Sequence, residues 1–228
     1  MCGRFIQISN PEKKKVSIPD LEIDNTVREG FKPHYNIAPT QDIITVLNTS
    51  PPKLVFTHWG LVPFGANDKT IGCRMINARV ETMTTKPSFR EPFRKRRCIV
   101  FADGFYEWKS VDKSRTPYFI HTKNGEPFAF ACLWDRWIDN ATGDNLVSST
   151  IITTDANPLV GKIHNRMPVI LEPDHYKVWL SPDPLSEHEL LNCLHPYPND
   201  KMEAHEISKL VNSPQNDSSE IIKPIKAH

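Results

Sequence analysis

The chain has 228 residues, 39% hydrophobic and 24% charged, which fits one soluble globular domain and excludes a disordered or collagen-like chain. Its 28 Lys and Arg against 27 Asp and Glu leave a formal charge of +1, so any contact with nucleic acid must come from a local patch. The longest apolar run, Phe128 to Trp134, is far short of the roughly 18 residues a membrane helix needs, and no apolar signal core accompanies Arg4 and Lys13-Lys14-Lys15. No membrane association and a reducing intracellular compartment are therefore expected, the cytoplasm or nucleoid of a prokaryote or the nucleus of a eukaryote.

In chain order, segments rich in β-branched and aromatic residues predict strands over Asp42–Leu47, Leu54–Trp59, Cys98–Ala102, Phe105–Lys109, Tyr118–His121, Phe128–Trp134, Val147–Thr154 and Met167–Leu171. Helices are predicted over Pro173–Leu180, with proline in the first turn, and Ser186–Leu194, where Ser-x-x-Glu writes a capping box before Leu190 and Leu191. This balance gives a β-rich α+β class: a curved, barrel-like, mostly antiparallel sheet with a few short helices. Twenty prolines are spread over the chain without a repeat or linker block, so one domain is expected over 2–211, followed by a polar tail over 212–228. A monomer is expected.

The five cysteines lack a C-x-x-C pair, and no His/Cys/Asp cluster has ligand spacing, so no metal and no organic cofactor is implied. Cys73, Cys98, Cys132 and Cys193 lie in or near apolar stretches and read as packing residues. Cys2 differs. Removal of Met1 would leave it a free α-amine beside the thiol, with ordinary pKa values of about 7.7–8.0 and about 8.5. An aldehyde can condense with the amine and then be closed into a thiazolidine by the thiol; alternatively, the thiolate can attack an amide.

Several blocks could serve such a nucleophile. Arg4 lies two residues away. In Ile76-Asn77-Ala78-Arg79-Val80-Glu81, alternation predicts an extended segment with Asn77, Arg79 and Glu81 on one face, suited to phosphate and sugar contacts. The basic run Arg90, Arg94, Lys95, Arg96 and Arg97 could track a nucleic-acid backbone or form a solvated turn. Glu107, between Tyr106 and Trp108, has neighbours that raise a carboxyl pKa toward a proton-shuttling range, and His164 beside Arg166 offers an acid/base side chain.

The ordered set Cys2-Gly3-Arg4-Phe5, Tyr35-Asn36-Ile37-Ala38-Pro39-Thr40, Trp59-Gly60-Leu61-Val62-Pro63, Ile76-Asn77-Ala78-Arg79-Val80-Glu81-Thr82, Phe101-Ala102-Asp103-Gly104-Phe105-Tyr106-Glu107-Trp108 and His164-Asn165-Arg166-Met167-Pro168 closely resembles the SRAP family (SOS response-associated peptidase). The resemblance implies a barrel-like β-rich fold and an activity that shields abasic sites in single-stranded DNA, the N-terminal cysteine forming a thiazolidine crosslink with the ring-opened sugar. It implies Cys2 as nucleophile, Asn77 as the group orienting it and the sugar, Glu107 as proton shuttle and His164 as acid/base assistant, including in reversal. Arg4, Arg79 and Arg166, with Thr153, would hold flanking phosphates. Phe64 takes the place of an aromatic wedge, and Lys86 substitutes for a basic residue beside Pro87. Replication-fork proteins are the expected protein partners. A competing reading makes Cys2 the nucleophile of an autoproteolytic or thiol-peptidase reaction; a third makes the chain a single-strand DNA binding module with an incidental Cys2.

Overall fold

The computed structural model describes residues 2–10, 18–112, 114–139 and 141–225. The chain passes through β1 (Phe5–Gln7), β2 (Glu22–Ile23), helix α1 (Asn25–Gly30), β3 (His34–Ile37), β4 (Asp42–Leu47) and β5 (Lys53–Trp59). It continues with β6 (Asn77–Arg79), α2 (Val80–Met83), α3 (Pro87–Lys95), β7 (Arg97–Ala102), β8 (Gly104–Val111), β9 (Ser114–Thr122) and β10 (Phe128–Ile138). Its last part forms β11 (Asn145–Asp155), β12 (Arg166–Pro168), β13 (Ile170–Leu171), α4 (Tyr176–Trp179), α5 (Glu187–Leu191) and β14 (Met202–Glu206).

Strands β5, β4, β7, β10 and β11 pair antiparallel in that order, and β11 returns to β5 through the parallel pairs Ser148↔His58 and Ser149↔Trp59. The five strands thus close into a barrel, which leaves no open edge between them. A second antiparallel sheet, ordered β14-β9-β8-β1-β3, packs beside it. Alternation along the strands separates two faces. On β7 and β10, Ile99, Phe101, Ala131 and Leu133 pack with Phe93 of α3 and Trp179 of α4. The helices cover that face, so Cys98, Val100, Phe130 and Cys132 turn into the barrel, where they meet Trp59 and Ile151. The second sheet contributes Phe5, Phe105 and Ile120 to the same cluster. The hydroxyls of Thr45, Thr57 and Ser149 satisfy one another across three strands at 2.7 and 2.8 Å, as buried polar groups require.

The capping box forms as predicted: the Ser186 side chain accepts from Glu189 N, and the Glu189 carboxylate accepts from Ser186 N at 2.9 Å. Two expectations are corrected. The predicted strand Met167–Leu171 is split at Val169, whose N–H donates to Ile152 and whose carbonyl accepts from Ala131, both at 2.9 Å, so the segment crosses from β11 to β10. The basic run is helix α3 and its exit: Arg90, Arg94 and Lys95 stay exposed on the helix, while Arg96 and Arg97 are tied within the fold. Lys95 pairs with Glu91 at 3.3 Å and Arg96 with Asp135 at 3.2 Å. Arg97 is fully buried and donates to the carbonyls of Trp179 at 3.0 Å, Phe93 at 3.2 Å, Ser181 at 2.6 Å and Arg94, serving the orphan carbonyls at the ends of α3 and α4.

The segment after Val211 lies against the second sheet. Asn36 Nδ2 donates to the carbonyls of Ser213 at 2.9 Å and Asn216 at 2.8 Å, Ile207 bridges Pro224, and Ile221 is buried with Ile6 and Tyr106. Ile221 and the partly buried Ile222 seat the otherwise polar segment; residues 226–228 lie outside the described residues. No helix among the described residues is long and apolar enough to cross a membrane.

Candidate functional site

Cys2 enters the fold through β1. The pairs Phe5↔Phe105 and Ile6↔Gly104 set an antiparallel register with β8, and Tyr106 N donates to Arg4 O at 2.9 Å. Continued by two or three residues, that register brings Cys2 and Gly3 beside Glu107 and Trp108. Cys2 is fully buried, packed in the barrel cluster with Phe5, Trp59 and Cys132. Burial pushes its thiol well above the ordinary range, and the Glu107 carboxylate pushes it further, so the sulfur carries its proton at neutral pH. Glu107 itself is 3% exposed, in register with Tyr118 on β9. Met1 lies outside the described residues.

Asn77 opens β6, opposite Ile151 of β11, and its Nδ2 donates to Ile151 O at 3.5 Å. Its Oδ1 is buried and has no hydrogen-bond partner among the described residues. The approach to β6 is held from the barrel: Trp59 Nε1 donates to Ile76 O at 3.1 Å. Gly60, at φ +139°, lies against Gly72, where a Cβ would come within 2.6 Å of the Gly72 carbonyl oxygen. Only glycine fits that approach, which clamps the two ends of the loop carrying Phe64. Phe64 is 69% exposed, with its backbone N–H held by Asp135 at 3.1 Å.

His164 follows a short 3-10 turn whose flanking Leu159 and Ile163 pack against the Cys2 cluster. Its Nδ1 lies 3.0 Å from the N–H and 3.2 Å from the carbonyl oxygen of Arg166, which fixes the ring against the start of β12. Arg79 and Lys86 are exposed, Lys86 at the start of α3.

The structure places three predicted phosphate contacts differently. Thr153 is fully buried and its hydroxyl faces Ala78 O at 3.5 Å, so it has no exposed atom for a phosphate; its carbonyl instead accepts from Arg166 at 2.7 Å. Arg166 is 9% exposed and holds Glu81 bidentately at 2.6 and 3.0 Å and Asp155 at 2.8 Å. The Glu81 carboxyl is accordingly held below its ordinary range. Arg4 is half-buried, with Nη1 donating to Asn36 at 2.7 Å and Val211 O at 2.9 Å. The alternating polar face also ends early: β6 stops at Arg79, and Glu81 lies in α2, whose turn carries it to Arg166.

Sequence reasoning missed Glu81 and Asp155 as counter-charges of Arg166, and Cys132 as a member of the Cys2 cluster; Glu81 read as part of a polar face with Asn77 and Arg79, and Cys132 as a packing residue. Among the described residues, no group of three or more His, Cys, Asp or Glu side chains is arranged to hold a metal ion.

Known proteins resemble this chain over nearly its full length. The family model of SOS response associated peptidase (SRAP) matches residues 1–214. Abasic site processing protein YoqW of Bacillus subtilis is 46% identical over 226 residues, covering 98% of this chain and 99% of that protein. Abasic site processing protein YedK of Escherichia coli is 30% identical over 237 residues, covering 99% and 100%. A crystal structure of a protein from Bacteroides thetaiotaomicron superposes with a TM-score of 0.88 at 29% identity, covering 99% of this chain and 100% of that one. With its barrel, its N-terminal cysteine beside Glu107 and a family match over nearly all its residues, the chain belongs to the SOS response associated peptidase (SRAP) family.

Proposed function

We propose that this chain processes abasic sites in single-stranded DNA, capturing the ring-opened sugar through Cys2 as a thiazolidine crosslink. The observation that carries the reading is the burial of Cys2 against the Glu107 carboxylate at the barrel cluster, where a proton can pass between them. Loss of Met1 gives Cys2 its α-amine. The amine adds to the aldehyde carbon and water leaves, giving an imine. The thiol, kept protonated by burial and by Glu107, then adds to the imine carbon while its proton passes through Glu107 to the nitrogen. The amine therefore acts first and the sulfur closes the ring. Asn77 Oδ1 accepts a hydrogen bond from the new ring nitrogen or a sugar hydroxyl, and His164 serves protonation in closure and reversal.

Exposed Arg79 and Lys86 hold the flanking phosphates, and Phe64 stacks on a neighbouring base. Arg166 has both Nη groups engaged by Glu81, Asp155 and the Thr153 carbonyl, and reaches phosphate only by exchanging them, whereas Arg4 uses only Nη1 for Asn36 and Val211. The test is intact mass of the untagged protein after incubation with an oligonucleotide carrying one abasic site. A species equal to protein without Met1, plus DNA, minus one water is expected, and Cys2→Ala abolishes it. Met1 removed with no adduct refutes capture and favours the second reading, in which the same Cys2 and Glu107 cleave a peptide bond, the Met1–Cys2 bond first.

A further inference from the structure

Phe64 carries an exposed ring on a backbone that is tied at every second residue. Val62 N donates to Ser148 Oγ at 2.8 Å, Phe64 N donates to Asp135 Oδ2 at 3.1 Å, and Ala66 O accepts from Trp137 Nε1 at 2.7 Å. The three tethers come from one face of the β10–β11 pair. Asp135 and Trp137 are alternate residues of β10, and Ser148 is the direct partner of Asp135 in the ladder. All three side chains belong to buried residues, as do Leu61 and Val62, where the loop leaves the core. Ala66 N donates to Pro63 O at 2.9 Å, which closes a turn with Phe64 at its corner. The other Asp135 oxygen accepts from Arg136 N at 2.8 Å and pairs with Arg96 at 3.2 Å. A surface turn ordinarily leaves its backbone groups to water; here a buried carboxylate and a buried indole answer them. The ring itself stays in solvent, so these bonds fix where it stands without burying it.

We infer that Asp135 and Trp137 are positioning residues that hold the Phe64 ring ready for a nucleobase, so that binding of single-stranded DNA does not have to order the loop. The inference rests on the reading that Phe64 stacks on a base. A group that must be immobilised on binding lowers affinity by about two- to tenfold, and a group already held escapes that loss. Charge and position act in opposite directions at Asp135. Asp135→Asn removes a negative charge and releases Arg96, and both changes favour a polyanion. The one oxygen left stays with Arg136 N and Arg96, so the new amide NH2 faces Phe64 N, donor against donor, and the tether breaks. A role through charge alone tightens binding in this variant, and a role through Phe64 weakens it. Trp137→Phe keeps an aromatic ring in the core and removes only the donor to Ala66 O, with no change of charge.

The experiment is a double-mutant cycle on the full chain. Asp135→Asn and Trp137→Phe, each alone and combined with Phe64→Ala, are titrated against a labelled single-stranded oligonucleotide and followed by anisotropy. Each single variant should bind about two- to tenfold more weakly than the parent, and in Trp137→Phe the salt slope should stay parental, since no phosphate contact is lost. In the Phe64→Ala background the same changes should move affinity by less than about 1.5-fold, because no ring remains to be positioned. Amide hydrogen exchange reads the tether itself, and protection at the Phe64 N–H should be lost in Asp135→Asn. Should Asp135→Asn fail to fold, Trp137→Phe completes the cycle. Tighter binding by Asp135→Asn, parental affinity in Trp137→Phe, or a loss of equal size with and without Phe64 would overturn the inference. Any of these in a protein that Phe64→Ala weakens strikes this inference alone. Parental affinity in Phe64→Ala strikes the stacking reading, and this inference with it.

Discussion

Glu81→Ala separates the structural use of Arg166 from its expected use on DNA. In the parent, Glu81 receives two charge-assisted bonds from Arg166, at 2.6 and 3.0 Å. Breaking a wholly buried pair costs about 3–5 kcal/mol because one charge is stranded. Here Arg166 keeps Asp155 at 2.8 Å and the Thr153 carbonyl at 2.7 Å, and the Glu81 side chain is 47% exposed, so water already screens half of the pair. The loss is therefore about 1–2 kcal/mol, which for a domain of this size lowers Tm by about 2–8 °C. The same change removes a counter-charge from Arg166. Binding to single-stranded DNA should tighten, and the slope of log K against log salt should steepen by up to about 0.7, one further phosphate contact. Because Arg166 lowers the Glu81 pKa, the stabilisation is fully present above the unfolded value of about 4.3 and is lost as pH falls through the folded value; the Tm gap between parent and variant then closes. Calorimetry across pH and fluorescence anisotropy at several salt concentrations measure both effects. An unchanged Tm together with weaker DNA binding would refute the argument.

Other substitutions test other parts of the site. Glu107→Gln should slow capture by about 10²–10⁴ through loss of the proton carrier, while the Cys2 thiol pKa falls because the carboxylate charge is gone; parental single-turnover rates, or an unmoved thiolate titration, would count against both roles. Arg97→Met leaves the carbonyls of Phe93, Trp179 and Ser181 without their donor and should cost about 3–5 kcal/mol in denaturant unfolding; parental stability would exclude Arg97 as the tie between α3 and α4. Phe64→Ala should leave stability within about 0.5 kcal/mol, since the ring is exposed, yet weaken single-strand binding by about 1–3 kcal/mol; undiminished affinity would remove Phe64 as a stacking group.

Seven of the eight predicted strands fall on single observed strands and the eighth spans β12 and β13, because each carries a local run of β-branched and aromatic residues that alternation or burial makes legible. The strands missed, β1, β2, β3 and β14, are two to five residues long, and three of them include half-exposed or exposed positions; no local pattern announces them. Chain order alone made Cys2, Asn77, Glu107 and His164 candidates, since each belongs to a motif whose residue types suit aldehyde and proton chemistry. Only tertiary structure decided what the charged residues do. Arg97, Arg96 and Arg166 are indistinguishable from phosphate binders in the sequence, yet Trp179, Asp135 and Glu81 reach them from distant segments and occupy them. The closing pair of β11 with β5 likewise joins residues about ninety positions apart and sets Cys2, Cys132 and Cys98 in one interior. Local sequence determines propensity and which face of a strand is apolar; which charge meets which, and which thiols share a barrel, follows from long-range pairing, whose energy depends on partners no local window contains.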